Sequence, residues 1–114
     1  MNNNLLILGN GRLELAVKEI AEEMNCFAKI DFLSDESDSA IGKLSDYEKL
    51  SADYKYAYPA FENSEERINW IQKLEQSCCK IAVLVHPKAY VAHTAQLRNG
   101  VLIEPMAVIK AMLP

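Results

Sequence analysis

The final 24 residues of this chain, from position 91 to position 114, carry apolar residues at a spacing of six. A spacing of six fits no single face of an α-helix, because six steps of about 100° turn each successive position to another side. It is typical of the left-handed β-helix, in which hexapeptides wind short strands around a triangular core. The two apolar series, four residues apart, are Val91, Leu97, Ile103 and Ile109, then Ala95, Val101, Ala107 and Leu113.

Two other interpretations of this tail stay open from the sequence. Asn99 and Gly100 lie between short apolar pairs, which is a typical two-residue hairpin turn. Residues 106–113 could equally form one or two amphipathic helical turns. Four hexads make little more than one triangular coil, whereas about three stacked repeats are needed for stability. We therefore expect the tail to pack on the rest of the chain or on another chain.

The residues before the tail alternate between strand-like and helix-like segments. Leu5–Leu8 is a continuous apolar run, as in a strand that is buried on both faces of a parallel sheet. The order strand, helix, strand, short helix, strand, helix, strand predicts an α/β domain with a parallel sheet over residues 1–87. The start of the β-helix, which the spacing of six predicts, follows over residues 88–114. Strands are predicted at 5–8, 28–33, 54–61 and 81–85, and helices at 12–24, near Ser45 with Glu48, and after Asn63 with Glu66.

The helical segments also predict which side chains pack inward. In the first helix one apolar face carries Leu13, Val17, Ile20 and Met24, while Glu14 and Lys18 form an i, i+4 pair on another face. In the last helix one side carries Arg67, Ile68, Ile71, Leu74 and Cys78.

A glycine turn follows the first strand. Gly9 and Gly11 allow a tight turn and a close approach of the backbone to a phosphate at a helix N-terminus. The third glycine of the dinucleotide-binding motif would fall at position 14, where this chain has glutamate. Asp31 lies twenty residues after Gly11, the spacing of a ribose-binding acid, and it is also the polar face of an alternating strand. The turn is therefore either a nucleotide site or a purely structural feature.

Composition excludes several classes of function. Twelve Lys and Arg against sixteen Asp and Glu give a net charge of −4, which argues against sequence-independent binding of nucleic acid. The three cysteines are odd in number and two are adjacent, so we expect reduced thiols and a cytoplasmic location. The apolar run near the N-terminus is too short for a signal peptide or a membrane span.

Metal binding and triad catalysis are also not expected. The set Cys78, Cys79, His86 and His93 matches no common zinc spacing. Cys78 is instead expected to pack inside its helix end, and His86 before Pro87 to mark the end of a strand. No Ser-His-Asp or Cys-His arrangement follows from two histidines in such positions.

Several segments together carry a family resemblance. Residues 6–22 read LILGNGRLELAVKEIAE, residues 32–35 read FLSD, residues 60–67 read AFENSEER and residues 86–95 read HPKAYVAHTA. Each segment resembles a feature of one bacterial group. The first resembles a strand followed by a GAGGHGR turn and a helix that ends in EIAE, and the second resembles a strand end of the form FLDD. The third resembles a stretch like AIGDNELR, and the fourth resembles a junction like HPSAIVSPSA that precedes the hexads. The group consists of the hexapeptide-repeat sugar acyltransferases of the sialic acid O-acetyltransferase type, with the related N-acetyltransferases of UDP-linked amino sugars.

The resemblance implies a two-part enzyme. A Rossmann-like domain, a small parallel sheet flanked by helices, helps to hold the nucleotide-sugar. A left-handed β-helix, usually trimeric, binds acetyl-CoA between subunits and carries a histidine general base. In this sequence the hexads stop after four, so that histidine and the acetyl-CoA groove have no counterpart. Leu13 and Glu14 replace the family's His-Gly, and Glu62 replaces a glycine.

We therefore expect a truncated or non-catalytic N-terminal domain of this family, with no catalytic residue, metal or cofactor of its own. Its ligand would be a nucleotide-sugar such as a UDP-sugar. Two alternatives stay open: an interaction module that self-associates or docks on a full-length acyltransferase through its coil, and an acetyltransferase that a partner chain completes. The expected ligand-binding residues are Gly9, Asn10, Gly11, Arg12, Leu13, Ser34 and Asp35.

Overall fold

The computed structural model describes residues 3–10 and 13–88, and it gives the backbone pairing of three further short strands. The helices are α1 (Glu14–Met24), α2 (Tyr47–Leu50) and α3 (Ser64–Glu75). The strands are β1 (Asn4–Gly9), β2 (Lys29–Ser34), β3 (Tyr56–Ala60), β4 (Lys80–Ile81), β5 (Leu84–Val85), β6 (Tyr90–Val91), β7 (Leu102–Ile103) and β8 (Val108–Ile109).

The first four strands form one parallel sheet in the order β2-β1-β3-β4. β1 lies between β2 and β3, and all four residues of Leu5–Leu8 have 0% exposure. A strand can be apolar on every residue only where both faces of the sheet are covered, so the continuous run predicted this position. The predicted fold class, a small parallel sheet flanked by helices, is confirmed.

Each face of the sheet has its own core. On one face Leu5 and Ile7 pack with Val17, Ile20 and Ala21 of α1. On the other, Leu6 and Leu8 pack with Leu74 of α3, and side chains of the 44–54 segment complete the cluster.

The apolar face predicted for α1 is thus confirmed. For α3 the prediction was too broad, because Ile68 is 52% exposed and Leu74 is the buried residue of that helix.

The helix ends follow local rules in part. The Asn63 side chain accepts a hydrogen bond from the Glu66 amide at 3.0 Å, so the predicted N-cap of α3 is confirmed. After α1, Asn25 adopts the left-handed conformation with φ of 54°, which asparagine tolerates better than most residues. The predicted cap at Ser45 is wrong, because Asp46 instead accepts from the Lys43 amide at 2.9 Å.

The predicted strand at 81–85 divides into two. β4 pairs with β3, and the Ala82 amide still donates to the Ala57 carbonyl at 2.9 Å. The chain then leaves this sheet, and β5 pairs in parallel with β7 while β6 pairs in parallel with β8. An apolar run cannot show such a change of sheet, because both parts are buried.

The tail pairings have a constant offset. Leu84 pairs with Leu102, and Tyr90 pairs with Val108, so the partners are 18 residues apart in each pair. Three hexads make 18 residues, the length of one triangular coil. The helix considered for residues 106–113 is wrong at β8, and the hairpin turn at Asn99 and Gly100 lies outside the described residues.

Candidate functional site

The strand order creates a switch point between β1 and β3. From β1 the chain passes through α1 to β2 on one side, and from β3 it passes through α3 to β4 on the other. In open α/β sheets, ligands bind outside the carboxyl ends of the strands where the connections diverge in this way. Gly9 pairs with Ser34 and with Ala60 at this edge, so the candidate site lies at the glycine turn.

Glu14 occupies the space over Gly9. A Cβ placed on Gly9 would lie 2.2 Å from Oε1, 2.5 Å from Cδ and 2.8 Å from Cγ of Glu14. Glu14 is the first residue of α1 and is only 3% exposed. The Glu14 side chain thus turns inward, and its i, i+4 pair with Lys18 stays a prediction. Gly9 is needed here because any larger residue would displace that side chain.

The rest of the predicted turn is partly described. The Oδ1 atom of Asn10 is buried and has no hydrogen-bond partner within residues 3–10 and 13–88. Leu13 flanks α1, and its carbonyl accepts from the Val17 amide at 3.0 Å. Gly11 and Arg12, both predicted ligand residues, lie outside the described residues.

Ser34 and Asp35 lie at the same edge and order the loop after β2. The Ser34 hydroxyl accepts from the amides of Glu36 at 3.1 Å and Ser37 at 3.3 Å, and its residue is buried. Asp35 is exposed, and one of its carboxylate oxygens accepts from the Leu44 amide at 3.1 Å. The structure thus brings Ser34 next to Gly9, with Asp35 one residue beyond it.

Asp31 does not belong to this edge. It pairs in register with Leu6, three residues before the level of Gly9. The Tyr54 hydroxyl donates to its carboxylate, and the Lys29 ammonium lies 3.4 Å away. Burial, and then the neighbouring Asp31 carboxylate, raise the pKa of Tyr54 above its ordinary value. These contacts favour the interpretation of Asp31 as the polar face of a strand.

The predictions for Cys78 and for His86 had different outcomes. Cys78 is exposed, so its expected packing is wrong; Cys79 is the buried thiol. It donates to the carbonyls of Tyr54 at 3.1 Å and Ser51 at 3.3 Å, and burial raises its pKa. His86 follows β5 directly, as predicted for a strand end. Within the described residues no group of three metal-ligating side chains comes together; His93 lies outside them.

A cavity lies between α2 and α3, on the face of the sheet opposite α1. It has a volume of about 650 Å³ and is lined by polar side chains of α2 and α3, among them Tyr47, Gln72 and Lys73. It is not the site that the glycine turn predicts.

Among the described helices, none has the length and apolar character needed to cross a membrane.

Comparison with known proteins extends these observations. No family model and no curated protein sequence matches the chain. Among solved structures it is similar to the acetyltransferase domain of PglB from Neisseria gonorrhoeae, with a TM-score of 0.89 and 26% identity over 96% of this chain. The same domain has been solved in complex with acetyl coenzyme A. This chain has a sugar acetyltransferase fold.

A second similar structure has lower identity. PerB from Caulobacter crescentus, solved in complex with CoA and GDP-perosamine, has a TM-score of 0.84 and 17% identity over 96% of this chain. At that identity the likeness concerns the fold alone. This chain spans 57% of the length of the PglB domain and 55% of that of the Caulobacter enzyme.

Proposed function

We propose that this chain is a nucleotide-sugar-binding domain of the sugar acyltransferase type. The observation that carries the proposal is the glycine turn at the switch point, where Gly9 of β1 lies between Ser34 of β2 and Ala60 of β3. The sugar acetyltransferase fold supports it. The ligand would lie across the carboxyl ends of these strands, with its diphosphate near the turn and the N-terminus of α1.

Ser34 and Asp35 would face the nucleoside. The Ser34 hydroxyl holds the loop in place through two amides, and Asp35 presents an exposed carboxylate just beyond it. A carboxylate accepts hydrogen bonds from ribose hydroxyls and from base N–H groups. Both UDP-sugars and GDP-sugars offer such donors, so the proposal covers the nucleotide-sugar class. The assignment to the sialic acid O-acetyltransferase type stays a prediction.

For the tail we propose a left-handed coil of hexads that begins with β5 and stacks at the 18-residue offset of the two strand pairs. The division at residue 87 stays a prediction, since β5 already pairs with β7. We propose binding and not catalysis for the described residues. Acyl transfer needs a general base beside the acceptor group, and His86, the one described histidine, is buried with its Nδ1 accepting from the Lys88 amide.

Isothermal titration with UDP-N-acetylglucosamine, GDP-mannose, UDP and acetyl-CoA tests the proposal. We expect saturable binding of nucleotide-sugars and about tenfold weaker binding by Asp35→Asn, since a charged hydrogen bond contributes about 1.5 kcal/mol or more. Asp38→Asn, an exposed change in the same loop, is the control and should bind like the unmodified chain. The proposal is wrong if neither the wild-type chain nor Glu14→Gly, which clears the turn, binds a nucleotide-sugar.

A second candidate function is self-association through the coil. In the part of the chain that the structure describes, β7 and β8 each pair with one strand, and a strand edge that no further strand of the same chain joins can pair with another chain. Sedimentation at several concentrations separates this candidate from a monomeric binding domain. A single monomeric species at all concentrations would count against it.

A further inference from the structure

We infer that Glu14 limits the affinity of the glycine turn for a ligand phosphate, because its carboxylate holds the place in the turn that the phosphate would take. The inference rests on the proposed function, since it concerns the same edge of the sheet. The chain would then admit a diphosphate only when this side chain moves away. Affinity for nucleotide-sugars is therefore set from within the chain.

The Glu14 side chain packs directly over Gly9. Three atoms of Glu14 lie within 3 Å of the position that a Gly9 Cβ would have. The space left by the missing side chain of Gly9 is thus already filled. A phosphate uses this same close approach to the backbone when it binds a glycine turn, so the phosphate and the Glu14 carboxylate exclude one another.

Glu14 is the first residue of α1, where the unpaired amides and the helix dipole favour a negative group. Its side chain is nevertheless almost fully buried, at 3% exposure, and turns back over the strand end. An internal carboxylate thus benefits from the electrostatic environment that would otherwise attract a phosphate. A second anion placed beside it would meet like-charge repulsion.

Nucleotide-sugar binding by Glu14 variants separates the effect of the side chain's charge from the effect of its volume. We expect Glu14→Gly to bind UDP-N-acetylglucosamine at least tenfold more tightly than the wild-type chain, measured by isothermal titration. Glu14→Gln keeps the volume and removes the charge, so its affinity should lie between the two. Glu19→Gly, which removes an exposed carboxylate from the same helix, is the matched control and should not gain affinity. Glu14→Ala replaces Glu14→Gly if the latter does not fold.

Inorganic phosphate supplies a readout that does not depend on the sugar or the base. Phosphate should raise the melting temperature of Glu14→Gly above that of the same protein in chloride of equal ionic strength, and should leave the wild-type chain unchanged.

Equal nucleotide-sugar affinities for the wild-type chain and Glu14→Gly would overturn the inference and leave the proposed function standing. Absence of nucleotide-sugar binding in both would remove the proposed function. In that case the phosphate measurement decides the inference, and equal responses of the two proteins would overturn it.

Discussion

Gly9→Ala should destabilise the fold by about 1–3 kcal/mol, the usual cost of adding a methyl group where a core is already filled. The new Cβ would lie 2.2 Å from Oε1 of Glu14, so the glutamate side chain has to move. Its exposure of 3% means that it moves against packed neighbours and not into open solvent. For a domain of this size the loss corresponds to a fall of roughly 4–8 °C in Tm per kcal/mol.

The cause can be isolated with a double-mutant cycle. Glu14→Ala removes the three atoms that crowd the Gly9 position, so Gly9→Ala should cost at least about 1 kcal/mol less in that background than in the wild-type chain. The free energy of unfolding of the four proteins is measured by urea denaturation, with circular dichroism as the probe. An equal cost in both backgrounds would refute the argument that Glu14 lies against Gly9.

Three further predictions follow from other parts of the chain. Asn63→Ala should lose about 1 kcal/mol of stability through its lost N-cap, whereas Asn69→Ala on the exposed side of the same helix should not; urea denaturation compares them. Burial raises the pKa of Tyr58 from 10.0 to about 12. The folded state therefore keeps this proton longer than the unfolded state, and about 2 kcal/mol of stability, complete below pH 10, is lost as the pH rises toward 12. Tyr58→Phe should lack this part of the pH dependence. In a thiol-labelling assay Cys79 should react only on unfolding, whereas two thiols should react at once in the native chain, namely Cys26 and Cys78.

Where a single physical cause acts over a short stretch, the sequence predicted the structure well. Leu5–Leu8 indicated a strand covered on both faces, because an amphipathic alternation would not give four successive apolar residues. The cap at Asn63 depends on the residue itself and on an amide three positions later, and the structure has that bond. The alternation of such elements then indicated the parallel sheet.

Predictions failed where the deciding contact joins residues far apart or where an element ends early. The segment before α2 is the example: Asp46, and not the predicted Ser45, accepts from the Lys43 amide. Asp35 also binds this segment through the Leu44 amide nine residues later, a distance that no capping rule covers. α3 ends at Glu75, so the helical spacing that pointed Cys78 inward no longer applied, and Cys79 took the buried place.

At the candidate site the sequence predicted the position of the turn but not the direction of the Glu14 side chain. The glycines after the first strand indicated a turn at the carboxyl edge of the sheet, and in the structure Ser34 lies beside Gly9 at that edge. The inward turn of Glu14 was missed. The missing third glycine was the available signal, but it shows only that a large acidic residue occupies position 14. Its direction depends on how closely α1 approaches β1, which is a property of the folded chain.

The most direct test of the account is a titration of ¹⁵N-labelled protein with UDP-N-acetylglucosamine and GDP-mannose, followed by amide chemical shifts. If the chain binds nucleotide-sugars at the switch point, the largest changes should occur at Gly9, Asn10, Ser34 and Asp35. Changes centred on the cavity between α2 and α3, at Gln72 and Lys73, would contradict the account. So would unchanged spectra of both the wild-type chain and Glu14→Gly.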